Sequence, residues 1–135
     1  MSRVIPHHST PPSSADLETI AAAAFADIPQ ELRRYAADVL IRVEDFPDEE
    51  VEREMDLESP FDLLGLYCGS AQDIQAFGGA PSSVDMIFLY RRPILDYWCE
   101  TGEDLSSVVR HVLIHEIGHH FGLSDDDMER IEDEE

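Results

Sequence analysis

The chain has 135 residues, 43% of them hydrophobic, and carries 30 acidic against 9 basic side chains, a formal charge of −21. That length supports one compact core and not two domains. The charge argues against nucleic acid or an anionic membrane as partner, because phosphate would be repelled and no basic cluster offsets the field. No stretch approaches the roughly 20 apolar residues of a membrane span, and the start of the chain lacks the apolar segment of a signal peptide, so a cytoplasmic location is expected. Cys68 and Cys99 show no C-x-x-C spacing, fit a reducing compartment and read as buried thiols.

In chain order, residues 1–14 read as a flexible Pro/Ser-rich tail and residues 15–135 as the folded domain. An Ala-rich helix is expected over 15–26, and Pro29 opens a second short helix running to about Ala36. Residues 39–43 form a strand. The acidic run 45–56 suits a helix with Val51 and Met55 facing inward, and its charges read as a solvated face. A second strand follows around 64–68, and Gly78, Gly79 and Pro81 mark a turn. The segment 72–79, between two stronger strand candidates, is expected to offer a free sheet edge. Residues 86–90, Met-Ile-Phe-Leu-Tyr, are apolar enough for a central strand, which Pro93 ends before a short helical link carrying Tyr97 and Trp98.

The last helix is expected over 102–121, with Thr101 and Asp104 as a capping box and Gly122 as terminator. Val109, Leu113, Ile114, Ile117 and Phe121 share one broad face, and His111, His115, Glu116 and His119 the other. Within it stands His115-Glu116-Ile117-Gly118-His119. A four-residue step on a helix turns about 400° and rises about 6 Å, so both imidazoles can reach one ion. Glu116 lies about 100° round from His115, placed to act on a water without becoming a ligand. An accidental H-E-x-x-H is expected in only about one random chain of this length in a few hundred. His111 stands about 12 Å along the axis from His119, too far to share a tetrahedral ion with it.

A catalytic zinc needs three protein ligands and one open position. Gly122 lets the chain reverse, and Asp125, Asp126, Asp127 and Glu129 are the acids that follow. Only Asp125 has the register at which zincins of the pattern H-E-x-x-H-x-x-G-x-x-H carry their third histidine. A solvated acidic tail is the plain alternative for all four. Tyr90, Tyr97, Arg91 and Arg92 could be read as oxyanion partners, but core packing and salt bridges account for them more simply.

The stretch from His115 to Glu129, together with 59–67 and 88–93, resembles the short bacterial zincin-like metallopeptidases, or minimal zincins, with the signature H-E-x-x-H-x-x-G-x-x-D. The resemblance covers residues 28–131 and implies a small single-domain α+β fold, with the motif helix packed under a short mixed sheet. It implies a zinc-dependent peptidase, with His115, His119 and Asp125 as metal ligands and Glu116 as general base. The expected cofactor is Zn2+, held weakly enough by a short Asp side chain that purified protein is partly or wholly metal-free. The expected substrate is a peptide or protein, favoured when basic. The competing expectation is a degenerate zincin that keeps the fold and serves as a binding or regulatory module.

Overall fold

The computed structural model describes residues 10–36, 38–69 and 85–133. Helix α1 spans Ser14–Asp27, started by a capping box in which Ser13 and Asp16 satisfy each other's backbone N–H at 3.1 and 2.8 Å. Pro29 caps the short α2, Gln30–Arg33, which tightens into a 3-10 turn over Arg34–Ala36. Strand β1 is Leu40–Glu44, and α3, Glu49–Glu54, starts on Asp48, whose carboxylate accepts the Val51 N–H at 2.9 Å. Strand β2, Gly65–Cys68, and strand β3, Met86–Tyr90, complete the described sheet. Then come α4, Arg91–Thr101, α5, Leu105–His120, and α6, Asp125–Asp133.

The sheet has the order β1-β3-β2, with β1 parallel and β2 antiparallel to the central β3. The apolar run of β3 suits that position, since it is covered on both faces. Ile87 and Leu89 point to the main core with Leu17, Ala21, Leu113 and Ile117, where α1 and α5 pack on the sheet. Phe88 and Tyr90 point the other way, toward Leu66, Cys68 and Val51 of α3. The result is the expected small α+β domain, with the helix that carries the two motif histidines laid across one face of a mixed sheet.

Several local expectations are corrected. Thr101 does not cap the motif helix; it is the last residue of α4, which stops at Gly102 with φ +71°. The cap is Asp104, whose carboxylate accepts the Ser107 N–H at 3.1 Å. The link after β3 is an eleven-residue helix, because Pro93 sits in its first turn, where a missing N–H costs nothing. Met55 is exposed and only Val51 of α3 is buried. Cys68 is buried as expected, but Cys99 is exposed. The acids after Ser124 are not a frayed tail: α6 is amphipathic, with Met128 and Ile131 wholly buried. The expected turn at Gly78 to Pro81 and the sheet edge at 72–79 lie outside the described residues, as do residues 1–9 of the expected tail. Pro12 at the end of that tail is tied down, since its carbonyl accepts Arg91 Nε–H at 2.7 Å.

Candidate metal centre

Helix α5 ends at His120, and Gly122, at φ +79°, turns the chain back. The Leu123 N–H reaches the Gly118 carbonyl at 2.8 Å and the Gly122 N–H that of His119 at 3.2 Å, the paired bonds of a Schellman closure. Ser124 then accepts the Asp127 N–H at 3.1 Å and starts α6. Close packing of the two helices rests on Gly118, because a Cβ there would overlap the Met128 side chain. The middle of the motif is thus small for a packing reason, and a buried methionine lies against it.

This hairpin sets a stripe of histidines on α5 against carboxylates of α6. His119 Nε2 stands 3.8 Å from Asp125 Oδ1 at the open end, where the two side chains are 57% and 93% exposed. Further along, His115 Nε2 meets Glu132 Oε1 at 2.7 Å, and His111 Nδ1 meets Glu132 Oε2 at 2.8 Å. The His115 and His119 rings lie 5.7 Å apart, centre to centre, and the His111 and His115 rings 4.1 Å. Burial alone would raise the Glu132 carboxyl, but the hydrogen bonds from both imidazoles outweigh it and lower its pKa.

Glu116 turns away from the acids, toward the sheet. Its carboxylate accepts the backbone N–H of Tyr67 on β2 at 3.2 Å. Burial pushes its pKa up to about 7, and the Tyr67 N–H pulls only partly against that rise. Tyr67 itself is fixed: its hydroxyl donates to Asp85 at 2.6 Å, and its ring stacks on His120 at 4.1 Å. Burial first, and then Asp85, raise that phenol well above its ordinary range. His120 is therefore a packing residue, and a Cβ at Gly69 would strike its ring.

The four residues singled out by sequence thus fall on one hairpin, in two kinds of surroundings. Asp125 lies beside His119, while Glu116 is shielded at the helix–sheet junction. Among the described residues, the ligand atoms gathered within 4.8 Å of one another are those of His111, His115 and Glu132. His111 is too far from His119 to share an ion with it, yet it meets Glu132, a residue the sequence reading does not single out. The available signal was spacing: Glu132 follows Asp125 by seven residues, two helical turns, and so faces α5 as Asp125 does. Arg91 and Tyr97 take structural partners, Pro12 and Asp45 for the first and Glu103 for the second. A cavity of about 820 Å3 lined by Phe61, Arg91, Trp98 and Cys99 includes no residue of the motif.

Two imidazoles and a carboxylate are donors that zinc accepts. Ligand atoms of a tetrahedral ion with bonds of about 2.1 Å stand roughly 3.4 Å apart, close to the His119–Asp125 separation, while His115 Nε2 is turned to Glu132. Comparison with known proteins matches residues 36–135 to the family model described as zincin-like metallopeptidase. A search of curated proteins returns no match.

Proposed function

The chain belongs to the zincin-like metallopeptidase family, and on that premise we propose that it is a zinc-dependent peptidase in which His115, His119 and Asp125 hold the ion and Glu116 moves the proton. The observation that carries this reading is the placement of Glu116, on the same helix as His115 and His119, with its carboxylate shielded at the helix–sheet junction and held by the Tyr67 N–H. A general base works best with a pKa near the operating pH, and burial at the helix–sheet junction brings this carboxyl to about 7. Zinc, when bound, supplies Lewis acidity that brings the pKa of water toward about 7 and polarises the scissile carbonyl. Glu116 takes the proton from the attacking water and delivers it to the departing amine. The Tyr67 N–H holds the carboxylate oxygen through the cycle, which limits the orientations Glu116 can adopt.

The substrate we propose is an extended peptide or protein segment, with basic residues near the scissile bond. An extended peptide satisfies its backbone most cheaply along a free sheet edge. Strand β2 is an outer strand of the described sheet and carries the backbone donor to Glu116. The net charge of −21 favours cationic segments.

The test compares zinc stoichiometry and peptide cleavage in the wild type and in Glu116→Gln. The substitution keeps size and hydrogen bonding but removes the base, so zinc is retained while turnover falls by roughly 10² or more. A wild type that binds zinc and cleaves no peptide in a broad library would instead make the chain a binding module. Loss of zinc in Glu116→Gln would show that Glu116 is a ligand or a structural residue.

A further inference from the structure

We propose that His111, His115 and Glu132 form a second zinc-binding set, which shares His115 with the motif and therefore excludes an ion from it. The three donors converge without rearrangement of the backbone. One carboxylate spans both imidazoles, at 2.7 Å to His115 and 2.8 Å to His111, and all ligand atoms lie within 4.8 Å. Two imidazoles and a carboxylate are a donor set zinc accepts in catalytic sites, and divalent cations limited to oxygen donors would not select it. An ion enters by widening the two contacts toward the roughly 3.4 Å between co-ligands of one zinc and taking the place of the hydrogen bonds between them.

The support behind Glu132 is firm. Its own backbone carbonyl accepts Arg110 Nη1 at 3.1 Å, and the neighbouring Ile131 and the more distant Met128 anchor α6 in the core. His115 and Glu132 are about three-quarters covered, against the open His119 and Asp125. The two sets cannot both be complete, because each requires the His115 imidazole and His111 lies about 12 Å from His119. One ion per chain therefore partitions between a proton-moving position beside Glu116 and a parked position about one turn up the helix. The binding claim holds whether or not the chain cleaves peptides.

The experiment uses the full chain, stripped with chelator and titrated with Zn2+ against a chromophoric competitor, with Co2+ spectra as a second readout. His119→Ala/Asp125→Ala removes the motif set and leaves the new one; His111→Ala/Glu132→Gln does the reverse. The wild type binds one ion. His119→Ala/Asp125→Ala still binds one, and adding either His111→Ala or Glu132→Gln to it weakens binding by about a hundredfold or more, the scale of a lost ligand. The His111→Ala/Glu132→Gln protein keeps its ion but changes the Co2+ spectrum, because the parked population is gone. Far-UV circular dichroism confirms the fold of each variant, and the isosteric Glu132→Gln keeps the test usable if His111→Ala unfolds the hairpin. The proposal is overturned if folded His119→Ala/Asp125→Ala binds no zinc, if its affinity ignores both added substitutions, or if the wild type binds two ions at once. Failure of peptide cleavage alone, with these binding results intact, would count against the peptidase reading and not against this site.

Discussion

Burying Glu116 costs the fold stability that a neutral isostere recovers, and the amount depends on pH. The ordinary value of its carboxyl is 4.5, and burial raises it to about 7 in the native state. Below about pH 4.5 both native and unfolded forms are protonated and the cost vanishes. As pH rises the unfolded chain ionises first, so native stability is lost progressively until the folded carboxyl also ionises near 7. From the two pKa values the penalty is about 1 kcal/mol at pH 5 and about 3 kcal/mol at pH 8. Glu116→Gln keeps an oxygen for the Tyr67 N–H and carries no charge. The variant should therefore exceed the wild type in unfolding free energy by a margin that grows by about 2 kcal/mol between pH 5 and pH 8. Urea unfolding of both proteins at pH 5, 6, 7 and 8 measures it, with chelator present throughout, because a nearby cation would favour the carboxylate and mask the effect. A gap independent of pH would refute the reasoning, since then the carboxyl titrates alike in both states.

Loss of Glu116 should separate chemistry from binding, with turnover down by roughly 10² or more at unchanged zinc stoichiometry. Asp125→Ala should weaken zinc binding in a competitor titration while Asp127→Ala does little; equal losses would mean that a neighbouring acid, and not Asp125, holds the ion. Gly118→Ala should destabilise by about 1–3 kcal/mol in urea unfolding, because the added methyl meets Met128. A gain of about 1 kcal/mol, as helix propensity alone would give, would show that the two helices can move apart. Peptides with Lys or Arg near the scissile bond should be cleaved faster at low salt, and the preference should fade once screening acts within roughly 8 Å. Indifference to peptide charge at low salt would remove the electrostatic part of the substrate proposal.

What could be read from the chain was what repeats locally. The apolar run 86–90 announced the central strand, and the spacing of His115 and His119 announced a shared helix face. Gly122 announced the reversal that the Schellman closure makes. Tertiary facts were harder. The acidic composition of 125–133 reads as solvated until Met128 and Ile131 are seen to share a face, and with it the direction in which Asp125 and Glu132 point. Thr101 and Asp104 have the spacing of a single capping box, and only the left-handed turn at Gly102 assigns Thr101 to the preceding helix and leaves Asp104 as the cap. The carboxyl of Glu116 is raised by its burial against the sheet, beside the Tyr67 N–H 49 residues away, a tertiary placement that no local pattern encodes. The distance that separates His111 from His119 has no bearing on its contact with Glu132.

Because the proposed ligand side chains all sit on one α5–α6 hairpin while the carboxylate of Glu116 is shielded against the sheet, metal affinity and basicity are separate inheritances. Substitutions along the sheet can move the proton affinity of Glu116 through the packing of Tyr67 and leave the histidine stripe alone. Changes on the face of α6 that meets α5 can rebalance which imidazoles an ion finds and leave the base alone. A lineage built on this hairpin can therefore lose turnover and keep its metal, or lose its metal and keep a poised carboxyl, by drift at different positions of the chain.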